Sequence, residues 1–120
     1  MEAKKMISII FEDGDEVLAG LKQAFSENKV QRATIKSVEG KIKDLEINIY
    51  GAGVFKRRHF DESFKVTSMH GTFLEKGNTG YKGELFVSLA SENTNSLGGT
   101  LASAKVTERL AIKADILEFK

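Results

Sequence analysis

The chain has 120 residues, 41% of them hydrophobic and 29% charged, which is enough for one modest core. Its 18 basic residues face 17 acidic ones, and a net charge of +1 excludes a globally basic duplex binder, whose affinity comes from neutralised phosphates. With no cysteine and no proline, the sequence excludes disulfides, thiolate metal sites, thiol nucleophiles and an AT-hook of Arg-Gly-Arg-Pro type.

The N-terminal stretch "MEAKKMISIIFEDGDE" has an apolar run too short for a signal peptide, and it meets acids at once. No apolar run reaches the about 20 residues needed to span a bilayer. We therefore expect no membrane partner and a cytoplasmic location. "MISIIF" is apolar on both alternating faces and predicts a buried strand. "DGDEVLAGLKQAFSENK" changes period: Val17, Leu18, Leu21, Ala24 and Phe25 fall at helical spacing, with Lys22, Gln23 and Ser26 opposite. Asp13 or Asp15 is expected to cap this helix, and acids in its first turn suit the dipole.

Beyond it the pattern is that of strands. "VQRATIKSV" and "KIKDLEINIY" flank Glu39-Gly40, and Ile42 is out of phase with Leu45, Ile47 and Ile49, so a bulge is expected near Asp44. "GAG" at 51–53 predicts a turn, followed by the strands "VFKRRHF" and "SFKVTSMHGTFL", split at Asp61-Glu62. "EKGNTG" predicts a turn, "YKGELFVSLA" a strand and "SENTNS" a loop. The rest, from "LGGTL" to "ILEF", is one long strand or two. One helix among short, closely spaced strands predicts an α+β fold, mostly antiparallel β-sheet with one principal α-helix, as a single domain over 1–120.

The reactive chemistry is sparse. Lys56, Arg57 and Arg58, with His59, form the one basic cluster, a nucleic-acid candidate. On a strand the four split into two pairs on opposite faces, as on a solvated edge guarded by charge. His59 and His70 are the only histidines, and His70 is expected at a bend before Gly71. A structural role suits each better than a metal site, which would need a third group. "EDGDE" lacks the later ligands of a calcium loop and is expected to cap the helix. "LGGT" is no phosphate-binding loop; Gly98 and Gly99 are expected to allow a bulge or a close backbone approach. No serine sits in a nucleophile elbow.

The order of motifs nevertheless resembles a known family. "SVEGKIKDLEI" is similar to a Ser-Gly-x-Gly-x-Leu-x-Asp signature, with Val38 in place of its first glycine. "RRHFDESFKVTSMHGTF" is similar to Phe-x-x-x-Phe-Glu-Ile-Leu-Ser-Leu-x-Gly. "LFVSLASENTNSLGGTL" is similar to His-x-His-Val-Ser-Leu-x-Asp-x-x-x-x-x-Gly-Gly-His-Leu. With the helix after the first strand, this order resembles the plant and prokaryote conserved (PPC) domain over nearly the whole chain. In plants that domain sits behind AT-hooks in nuclear proteins; prokaryotes carry it alone.

The resemblance implies a homotrimer. It also implies that the positions of the three metal-binding histidines found in many prokaryotic members are here Glu84, Phe86 and Thr100. One carboxylate and one hydroxyl do not replace three imidazoles, so neither a metal nor any other cofactor is expected. The leading function is a non-catalytic trimer binding a small ligand or a protein partner at subunit clefts. The expected lining is Glu84, Phe86, Ser88, Gly98, Gly99 and Thr100, with His70 from the preceding strand. The alternative is DNA binding, as prokaryotic members are often labelled, through Lys56, Arg57 and Arg58. A third reading, an enzyme with Glu84 as general base, lacks an electrophile or oxyanion donor.

Overall fold

The computed structural model describes residues 3–51, 53–77, 80–92 and 97–118, without the side chains of Ala3, Lys4, Tyr50 and Phe55. The elements are β1 (Ala3–Glu12), α1 (Val17–Glu27), β2 (Val30–Gly51), β3 (Val54–Phe60), β4 (Phe64–Glu75), β5 (Tyr81–Ala90) and β6 (Leu97–Glu118). Six antiparallel strands form one sheet in the order β1-β6-β5-β4-β2-β3, and β6 also pairs with β2. The ladders β2–β4, β4–β5, β5–β6 and β6–β2 therefore close a ring, leaving β1 and β3 as the outer strands.

The two halves expected of the second strand run are one 22-residue strand, and so is the last run. Both bend rather than stop. Gly40 takes φ 140°, and a Cβ there would lie 2.5 Å from the Arg109 carbonyl oxygen, so only glycine carries β2 through this point. The bulge expected near Asp44 is present: Asp44 has φ 46° and the β2–β6 register shifts between Lys43 and Glu46. On β6 the matching irregularity is Glu108 at φ 64°, whose amide donates to Asp13 Oδ1 at 2.7 Å. That bond, with Lys43 nearby, holds the Asp13 carboxyl below its usual range.

Asp13 is thus committed to β6, and Asp15 Oδ2 accepts from the amide of Glu12. Neither caps the helix. The N-cap is Glu16, whose carboxylate accepts from Ala19 N at 2.5 Å and from Ala104 N at 3.3 Å, so no acid lies within the first turn. Val17, Leu21 and Phe25 are buried, and Phe25 packs against Phe73 and Tyr81 with ring centroids 5.6 Å away in each case. The Tyr81 hydroxyl donates to Val30 O at 2.6 Å, with Phe25 O at 3.1 Å sharing the proton. One side chain thus ties the end of α1 to the start of β2.

The first strand corrects its expectation. β1 is an edge strand, buried on one face by Ile9 and Phe11, while Met6 and Ile10 on the other are 57% and 47% exposed. Among the described residues, no layer lies above its apolar outer face. Of the expected turns, Ala52 in "GAG", Asn78 and Thr79 in "EKGNTG", and 93–96 in "SENTNS" lie outside the described residues.

Candidate functional site

Alternation along β5 buries Leu85, Val87 and Leu89 and turns Glu84, Phe86 and Ser88 outward. Phe86 is 47% exposed, a large aromatic ring on the outer face of a sheet. Antiparallel register brings the other expected residues to it. His70 on β4 lies opposite Phe86, and Thr100 on β6 lies opposite it on the other side. Ser88 is flanked by Ser68 and Gly98. One cross-strand row thus reads His70, Phe86, Thr100, Asn48 and Arg57, reaching from β4 to the free strand β3.

A second row, Thr34, Thr72 and Glu84, runs beside the first. The β2–β4 ladder is interrupted beyond Thr34 and Thr72 and resumes only at Lys41 and Lys65. At that parting an open depression of about 520 Å³ forms, lined by Thr34, Ile35, His70, Gly71, Thr72, Glu84 and Phe86. His70, Glu84 and Phe86 therefore share one surface. Ser88, Gly98, Gly99 and Thr100 do not line the depression but continue the same part of the sheet.

The two glycines of "LGGT" differ. A Cβ on Gly99 would lie 2.4 Å from the Asn48 carbonyl oxygen, so β6 approaches β2 there as only glycine allows; at Gly98 the nearest atom would be at an ordinary 3.6 Å. His70 is not at a bend: it stands exposed within β4, so it is no core histidine. His59 is also exposed and sits 2.6 Å from Asp61 Oδ1. Thr34 and Thr72 were not singled out from sequence. Thr72 is signalled by its alternation with His70, whereas Thr34 depends on a long-range register.

The donor set of the outer row does not suit a metal centre. Phe86 supplies no ligand atom, and Glu84 and Thr100 supply oxygen only, so the residues do not fit a His₃ ion site. Among the described residues no three His, Cys, Asp or Glu side chains are grouped to hold an ion. No described helix is long and apolar enough to cross a membrane.

The basic cluster lies on β3, an edge strand, as its charge pattern predicts. Arg57 donates through Nε to Asn48 Oδ1 at 3.2 Å and pairs with Glu46 at 3.7 Å, while Arg58 lies 5.5 Å from the centre of the Phe60 ring. Part of its positive charge is thus matched within the chain.

The model of the Plants and Prokaryotes Conserved (PCC) domain matches residues 1–120. Among solved structures, the chain is similar to a plant- and prokaryote-conserved protein of Pyrococcus horikoshii, at 20% identity and TM-score 0.83, covering 100% of this chain and 84% of that one. A metal-containing protein of Archaeoglobus fulgidus is similar at 18% identity and TM-score 0.81, covering 97% and 81%. A candidate DNA-binding protein of Bacteroides thetaiotaomicron is similar at 16% identity and TM-score 0.80, covering 97% and 84%. None of the three is named as an enzyme. No curated protein matches the chain.

Proposed function

We propose, from the premise that this chain belongs to the Plants and Prokaryotes Conserved (PCC) domain family, that it acts as a non-catalytic homotrimer. It binds a small ligand or a protein partner at a cleft on the outer face of β4, β5 and β6. The observation that carries this reading is the exposed Phe86 ring, set between His70 and Thr100 and beside Glu84. A half-exposed aromatic flanked by a carboxylate, an imidazole and hydroxyls offers an apolar contact with polar groups to orient what lies on it. A neighbouring copy supplies the wall that the open depression lacks.

The chain has no tryptophan, so Phe86→Trp introduces a single indole as a reporter. A cleft closed by a second copy predicts blue-shifted emission at high protein concentration, moving to the red as dilution separates the copies. Water-like emission at every concentration would contradict the reading.

DNA binding is the second reading, favoured by the exposure of Lys56, Arg57 and Arg58 on a free strand. With a net charge of +1, few counterions are released, so duplex binding is expected to be weak and non-specific at physiological salt. Tight, sequence-selective binding in a titration at that salt, lost in Arg57→Ala/Arg58→Ala, would instead establish this reading.

A further inference from the structure

Resting on the trimeric reading above, we propose that copies of this chain join edge to edge. β3 of one copy adds as an antiparallel strand to β1 of the next, guided by Lys56 and Arg58 against the carboxylates beside β1. The two ends of the strand order are β1 and β3, and among the described residues each pairs on one side only, with β6 and β2 respectively. A free strand edge presents a row of unused backbone donors and acceptors. The ten-residue β1 has no proline to block it, and its outer face exposes Met6 and Ile10.

A groove of about 390 Å³ runs between β1 and α1, floored by Ile9 and Phe11. Its charged lining residues are Asp15, Glu16 and Glu27, with no cation among them. On the same face of β1, Lys5 is paired with Glu118 and leaves these carboxylates unmatched by it, while the opposite edge of the sheet carries cations. On β3, Arg58 lies opposite Ile47 and Lys56 opposite Ile49, and Ile47 is fully buried. Lys56 and Arg58 therefore lie on the core side of the sheet, the side on which α1 packs over β1.

Strand directions make this pairing consistent. Every ladder is antiparallel, so along the order β1-β6-β5-β4-β2-β3 the direction alternates, and β1 and β3 run oppositely. A joint that continues the sheet without turning it over is therefore antiparallel. It keeps Lys56 and Arg58 on the helix side of β1, facing the carboxylates. On the outer side the same joint sets Met6 and Ile10 of the next copy beside Arg57, at the end of the row that contains Phe86. Such a contact is head to tail, and it closes a ring of three where each step turns by a third of a circle.

The test is the mass by sedimentation equilibrium of the full chain and of folded charge variants, with circular dichroism as the folding check. Lys56→Glu/Arg58→Glu is expected to fall from trimer to monomer, as is Glu27→Lys, and the three substitutions combined are expected to restore the trimer. Glu16 is left in place because it caps α1. Hydrogen exchange on the unmodified protein keeps the test independent of any variant. The alternate amides between Ile7 and Ile10 that point away from β6 are expected to exchange more slowly in the trimer than in the diluted monomer. A wild-type trimer with unaltered variants and equal exchange at both concentrations would overturn the joint and leave the trimeric reading standing. A wild-type monomer would overturn both.

Discussion

Phe25→Ala is expected to lower stability by about 3–5 kcal/mol, the usual cost of emptying a large aromatic site in a core. Phe25 is fully buried at the end of α1, in ring contact with Phe73 on β4 and Tyr81 on β5. Its removal loses the transfer energy of the ring and opens a cavity whose walls are strands of a closed ring of ladders, so little collapse follows. The helix is short and depends on this face for its place, since helices of its length gain most of their stability from packing. Against a typical total of about 5–15 kcal/mol, the loss is a large fraction. Chemical denaturation of both proteins at one concentration, fitted with unfolding coupled to dissociation, measures it. A change under about 1 kcal/mol would mean that α1 does not anchor the core through Phe25.

The second large effect is a gain. Glu84→His/Phe86→His/Thr100→His is expected to convert a protein without stoichiometric zinc into one holding one zinc per chain. Phe86 and Thr100 are direct cross-strand partners, and Glu84 is two residues from Phe86 on the same outer face. Opposed side chains in such a pair start about 5 Å apart at Cβ, within reach of imidazoles converging on one ion at about 2.0–2.1 Å from each nitrogen. Three imidazoles leave the fourth position of a tetrahedral ion to water, and metal binding should raise the melting temperature of the variant in proportion to its affinity. Elemental analysis of both purified proteins gives the outcome. Stoichiometric zinc in the unmodified protein would refute the account of its donor set. A folded triple variant without zinc would show that the three positions do not converge.

Local patterns predicted much of this fold because most of its signals are local. The strands Val54–Phe60 and Tyr81–Ala90 coincide with the runs read from their alternation. The phase slip between Ile42 and Leu45 marked the bulge at Asp44. Glu84, Phe86 and Thr100 were legible through the family resemblance, and the strand period of two then sets Glu84 and Phe86 on one face. What local pattern does not carry is pairing at long range. Gly40 resembles a strand end, yet the ladder with β6 continues past it. The apolar faces of β1 resemble those of a central strand, although β1 lies at an edge. Thr34, Asn48 and Arg57 join the rows of the candidate site only through registers between distant segments, and a slip of one residue in any of them would turn these side chains to the other face.

The measurement that bears most directly on the proposed function is sedimentation equilibrium of the unmodified protein at micromolar concentration and physiological salt. The expected mass is three times the 13.2 kDa of one chain. A single-chain mass across that range would contradict it.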